Sequence, residues 1–170
     1  FVAGPPSPSN CDGVTIPCTY SQIGEVNTNL TGLLATEQNI TTTFAVHADS
    51  APVIYLNGQP DRSAPDTRSF DRAVGRLTAV NPYTNQQQNI TQYMADPVEM
   101  KLLHMITASP ARTGTLTMFA NPDYFLFAGA PNCTSPCVTV NPNFAWNHGD
   151  VQQDIVRTWM GLVAPGVSED

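Results

Sequence analysis

The sequence predicts an α/β fold in which helices pack on a sheet. Apolar residues at three- and four-residue spacing mark helical segments, and these alternate with short β-rich runs. Turn formers, above all Asn, Pro, Gly and Asp, punctuate the boundaries. The chain has 170 residues and is 41% hydrophobic, enough for one domain with a real core. No internal repeat is visible. The candidate strands are few, so the sheet is small for its class and reads as one portion of a larger α/β unit.

Residues 1–22 are rich in Pro, Ser and Gly and read as a disulfide-pinned surface loop. The opening FVAGPPSPSN has neither the basic nor the apolar region of a signal peptide. From Gly24 to Gln38 the positions Val26, Leu30, Leu33 and Leu34 follow helical spacing. TTTFAVHAD (41–49) and PVIYLNG (52–58) are β-rich and flank a short turn, so they are expected to pair as a hairpin. Thr67 or Ser69 is placed to cap a helix carrying Phe70, Val74, Leu77 and Val80 on one face. That helix should end near Asn81-Pro82, because proline disfavours a helical residue before it. YTNQQQNITQY is polar. Asp96 then caps a helix with Pro97 at its first position and a buried stripe of Val98, Leu102, Met105 and Ile106. GTLTMFANPDYFLFAG (114–129) reads as a strand, a turn at Asn121-Pro122-Asp123 and a second apolar segment. Residues 130–143 form a second disulfide loop. TWMGLVA (158–164) is a short continuous apolar run that suits a buried strand, and PGVSED leaves it through a turn.

Charge and cysteine usage narrow the function classes. Net charge is −7, from 14 acidic and 7 basic residues. Such a chain repels a phosphate backbone, so a nucleic-acid polymer is not an expected partner. No apolar run approaches the ~20 residues of a membrane span. The four cysteines form two close pairs, Cys11/Cys18 and Cys133/Cys137. Neither pair has CxxC spacing or a nearby histidine, and each lies among turn formers, so two local disulfides are the simpler reading than metal binding. Loops this short contribute roughly 2–2.5 kcal/mol each in the chain-entropy model. Disulfides imply an oxidising compartment: secreted, extracellular or periplasmic. Sequons at Asn29, Asn39, Asn89 and Asn132 permit glycosylation in a eukaryotic source.

His148 is the main candidate for chemistry. A His-Gly pair just before an apolar strand places an imidazole near a sheet edge, where ligands gather in open α/β sheets. Gly149 allows close backbone approach, and Asp150 and Asp154 could accept from the imidazole or lie near a cation. The competing reading is a loop histidine hydrogen-bonded locally. His47 alternates within a strand and faces solvent, His104 lies on the helix face away from its apolar stripe, and Asp49 suits a turn. No HxxxH, HExxH or DxxxH pair, GxSxG elbow or P-loop occurs, so the residues alone do not compose a complete active site.

The stretch from Arg112 to Val167 adds a resemblance. ARTGTLTMFANPDYFLFA, a loop, and WNHGDVQQDIVRTWMGLVAPGV resemble the C-terminal part of the alkaline phosphatase superfamily, especially its type I phosphodiesterase and nucleotide pyrophosphatase-like members. FAVHADSAPVIYLNG looks like the hairpin that follows that family's central Asp/Lys-His-Gly motif. The resemblance implies a three-layer α/β sandwich around a mostly parallel sheet, of which this chain is a C-terminal portion. It implies a site with two divalent cations, often zinc, and a Ser or Thr nucleophile that attacks a phosphate or sulfate ester. The histidine of the late His-Gly pair binds one metal there, a role that falls on His148, with Asp150 and Asp154 behind it. No catalytic residue carries over, because the nucleophile and the other ligands precede this region in the family. The partner implied is the N-terminal remainder of the same domain. One departure is WNHGD, where related members often have an acidic residue before the histidine. The rival expectation is a non-catalytic, secreted, disulfide-stabilised module that binds carbohydrate or protein. A degenerate family member kept for interactions is a third.

Overall fold

A computed structural model describes residues 25–133, 136–141, 150, 151, 156 and 160–166. It is mixed α/β. In chain order the elements are β1 (Glu25–Asn29), α1 (Leu30–Gln38), β2 (Phe44–His47), β3 (Val53–Leu56), α2 (Pro65–Val74), β4 (Thr78–Asn81), β5 (Gln86–Asn89), β6 (Thr91–Ala95), α3 (Pro97–Leu102), a 3₁₀ turn (Pro110–Arg112), β7 (Leu116–Ala120), β8 (Tyr124–Phe127) and β9 (Val138–Asn141).

One sheet has the order β2-β3-β7-β6 and is antiparallel throughout. A second has the order β8-β1-β9, with β1 parallel to β8 and antiparallel to β9. β4 and β5 form a separate hairpin. Asp49 and Leu126 exchange backbone hydrogen bonds of 3.2 and 3.0 Å, tying the β2–β3 turn to β8.

The main core lies where the helices meet the sheets. Leu30, Leu33 and Leu34 of α1 and Phe70, Ala73 and Val74 of α2 pack with Ile54, Leu116, Met118, Tyr124 and Leu126 from the strands. β7 is buried at all five positions. Successive side chains on a strand face opposite ways, so β7 must be covered on both sides. Leu116, Met118 and Ala120 enter the main core, and Phe119 enters a smaller cluster with Ala51, Ala95 and Met100. Tyr93 stacks on Phe119 with ring centroids 4.6 Å apart.

Several expectations hold. The hairpin forms with Phe44 opposite Leu56 and His47 opposite Val53. Asp96 caps α3 with Pro97 in its first turn, and Glu99 completes a capping box by accepting from the Asp96 amide at 2.9 Å. The 114–129 segment forms two strands around Asn121-Pro122-Asp123, and those strands join different sheets.

Five expectations are corrected. The helix read from Gly24 begins only at Leu30, and Val26 belongs to β1. β1 is hydrogen-bonded on both sides, and that long-range pairing overrides the local helical spacing. The helix read through Val80 ends at Val74, because Gly75 closes it and Thr78–Asn81 pair with β5. Its N-cap is Ala64 with Pro65 next, not Thr67 or Ser69. On α3 the buried residue is Met100, whereas Val98 and Leu102 are 66% and 73% exposed. Six residues make under two turns, so one side chain is enough to anchor this helix. Finally, no strand forms over 160–164, and Met160, Leu162 and Val163 are 87%, 65% and 101% exposed. No described strand pairs with that run to bury it.

Candidate functional site

β1 and β8 form the one parallel pair among the described strands. Ligands in sheets of this kind gather beyond the carboxyl ends of parallel strands. Here those ends are Asn29 and Phe127.

Asn29 organises the junction. It is the last residue of β1 and the N-cap of α1. Its Oδ1 accepts from Gly32 N at 3.1 Å and Gly129 N at 2.9 Å. Its Nδ2 donates to Ala130 O at 2.8 Å and to Cys133 Sγ at 3.7 Å. Its backbone amide donates to Cys137 O at 2.8 Å. One side chain thus satisfies an orphan donor of the helix and holds the loop after β8. In sequence, Asn29 stands out only as a sequon. The missed signal was an Asn immediately before the first helical apolar residue, Leu30. The amide nitrogen a glycan would occupy is engaged in the fold, whereas Asn39, Asn89 and Asn132 are exposed.

The Cys133–Cys137 disulfide is formed, with Cα atoms 5.3 Å apart. A cavity of about 220 Å³ beside it is lined by Asn29, Phe127, Asn132, both cysteines and Thr139.

Of the remaining site residues read from the sequence, His148, Asp154, Cys11 and Cys18 lie outside the described residues, as does the 1–22 loop. Asp150 is described and buried, and its Oδ1 accepts from Val151 N at 2.6 Å. Val151 packs on the Ala51–Met100–Phe119 cluster, which places the pair beside β6 and α3. Burial pushes the Tyr93 phenol upward, and the Glu99 and Asp150 carboxylates add to it. His47 is exposed on β2, as its alternation indicates. His104 does not sit on a helix face: it follows the α3 cap with φ +57°. Asp49 serves its turn, its Oδ1 accepting from Ser50 N at 2.7 Å. Among the described residues no group of three His, Cys, Asp or Glu side chains is placed to hold a metal. Among them also, no helix is long and apolar enough to cross a membrane.

A second cavity, of about 320 Å³, lies between the β3–α2 loop and the segment before β7. Gln59, Asp61, Arg62, Thr107 and Thr113 line it. Arg62 is fixed there by Nε to Thr115 O at 2.8 Å and Nη2 to Gly114 O at 2.6 Å. The hydroxyl and amide of Ser63 hold the Asp61 carboxyl below its ordinary range, with the Arg62 charge adding to them.

No family model, curated protein or solved structure matches this chain.

Proposed function

We propose that this chain is the C-terminal portion of a secreted, metal-dependent phosphoric ester hydrolase of alkaline-phosphatase-like architecture, supplying one metal-ligand histidine, His148. The chemical class rests on the likeness of the Arg112–Val167 stretch to that superfamily. The structural observation that supports it is the exposure of Met160, Leu162 and Val163. An apolar run left in water is costly, at about 25 cal/mol per Å² of apolar surface. The N-terminal remainder of the domain would cover that run and bring the other ligands to His148.

The donor set fits zinc in kind but not in number. An imidazole nitrogen is a good zinc ligand, and a catalytic zinc takes three protein ligands. This chain would contribute one. Divalent metals in such a site orient the ester, lower the pKa of the attacking group and stabilise charge on the leaving oxygen. His148 would hold one such ion, with Asp150 and Asp154 as the carboxylates that would orient its ring. The substrate is a phosphate or sulfate ester.

Zinc titration tests this. The isolated chain should bind zinc weakly, and its complex with the polypeptide encoded upstream should bind at least tenfold more tightly. His148→Ala should remove that gain, along with hydrolysis of bis(p-nitrophenyl) phosphate or p-nitrophenyl phosphate by the complex. Tight binding by the isolated chain, unchanged in His148→Ala, would overturn the proposal.

One observation favours a second reading, a secreted disulfide-stabilised module that binds carbohydrate or protein. The Arg62 cavity combines a fixed cation with the Asp61 carboxylate and neutral polar groups from Gln59, Thr107 and Thr113. Specific saccharide binding lost in Arg62→Gln, together with no zinc-dependent hydrolysis by the complex, would favour the module.

A further inference from the structure

The cystine at the strand ends is placed where one of its sulfurs would be stabilised as an anion. Cys133 Sγ lies over the first turn of α1, a nine-residue helix. A Cβ on Gly32, the third residue of that helix, would collide with Cys133 Sγ and come within 3.0 Å of Cys137 Sγ. The Asn29 amide donates to Cys133 Sγ at 3.7 Å. The positive end of a helix and an N–H donor both favour thiolate over thiol. Cys137 differs in its surroundings: it packs against the main core. Both cysteines line the 220 Å³ cavity and both are partly exposed, so a small thiol can reach them. With only four residues of separation, the bond closes a short loop and constrains the unfolded chain less than a long-range disulfide would.

We propose that Cys133–Cys137 is a thiol–disulfide exchange site for dithiol reductants, with Cys133 leaving as a thiolate held at the N-terminus of α1. A reductant thiolate attacks Cys137 Sγ, forming a mixed disulfide as the Cys133–Cys137 bond breaks and its electron pair goes to Cys133. The second thiol of the reductant loses its proton and attacks its own sulfur in the mixed disulfide, releasing Cys137, which takes up a proton. The reductant leaves oxidised by two electrons, and the chain is left with one thiolate and one thiol. The leaving group with the lower pKa departs faster, which selects Cys137 as the sulfur attacked.

Reduction would separate Cys133 from Cys137 where both line the strand-end cavity. The loop after β8 is held to β1 by the Asn29 side chain at Gly129 and Ala130 and by its amide at Cys137 O. The disulfide closes the last part of that loop, from Cys133 to Cys137, just before β9. None of this depends on the hydrolase reading, so either can fail alone.

The test uses the wild-type chain. Brief exposure to glutathione, acid quenching and peptide mass spectrometry locate the mixed disulfide. It should sit on Cys137 at least tenfold more often than on Cys133. In the dithiothreitol-reduced chain at pH 7, iodoacetamide should modify Cys133 about tenfold faster than Cys137. Asn29→Asp keeps the capping oxygen but replaces the donor with a negative charge, and it should abolish that difference. An adduct shared equally or sited on Cys133, equal alkylation rates, or a bond reduced only after unfolding in urea would each overturn the proposal.

Discussion

Asp71 shows how burial and pairing compete at one residue. It lies on α2, is 8% exposed, and meets Arg68 at 2.7 Å. Burial nevertheless dominates and raises its carboxyl above the ordinary aspartate range, with Arg68 and Arg72 pulling it back in part. An acid raised on folding holds its proton more tightly folded than unfolded. Its contribution is complete below the unfolded pKa and is lost as pH rises through the folded one. Stability should therefore fall across that acidic window. Asp71→Asn should flatten this part of the curve of melting temperature against pH, and an unchanged slope would count against the burial account. Asn29 makes a related point about information. Its cap position is legible in sequence, but its bonds to Gly129, Ala130 and Cys133 span about a hundred residues and come only from folding.

At the scale of elements, local chemistry and long-range pairing divide the outcome. The Asp96-Pro97-Glu99 start of α3 is a local device, with every partner within three residues, and it forms as read. The face that α3 buries is not local. Met100 turns toward Ala95 and Phe119, one on the preceding strand and one on β7. Met100→Ala should destabilise the chain by about 2–4 kcal/mol. Leu102→Ala should stay within about 0.5 kcal/mol, because the side chain is already in water. Urea unfolding of the two variants separates these faces, and equal losses would restore the stripe read from the sequence. The α2–β4 boundary teaches the same lesson. Phe70, Val74 and Leu77 are buried, as their spacing implies, yet Leu77 reaches the core from the turn after the helix. Spacing reported burial correctly at those three positions but not at Val80, which lies on β4 and is 50% exposed, and it extended the helix too far.

For the whole molecule, the question is which apolar surfaces the described residues satisfy. β7 is covered on both faces and α1 and α2 are anchored, so the sheets and their helices share a closed core. The run at Met160, Leu162 and Val163 lies outside it. Val163→Glu should leave the unfolding midpoint of the isolated chain within about 0.5 kcal/mol of wild type. On the hydrolase reading, the same change should prevent co-elution with the upstream polypeptide in size-exclusion chromatography. Unaltered co-elution would remove that run from the interface.

The sequence by itself determined what short-range chemistry controls: the β2–β3 hairpin, the capped start of α3, the turn at Asn121–Asp123, and the Cys133–Cys137 pairing across a tight loop. Each is decided by residues near in the chain, where turn and cap hydrogen bonds or ring closure act with little loop entropy to overcome. Only the tertiary structure decided that Glu25–Asn29 is a strand, that α2 gives way to β4, that Met100 is the anchor of α3, and that Asn29 ties β1 to the disulfide loop. Those outcomes depend on partners far along the chain, and a strand's hydrogen bonds, unlike a helix's, exist only once the partner strand has arrived.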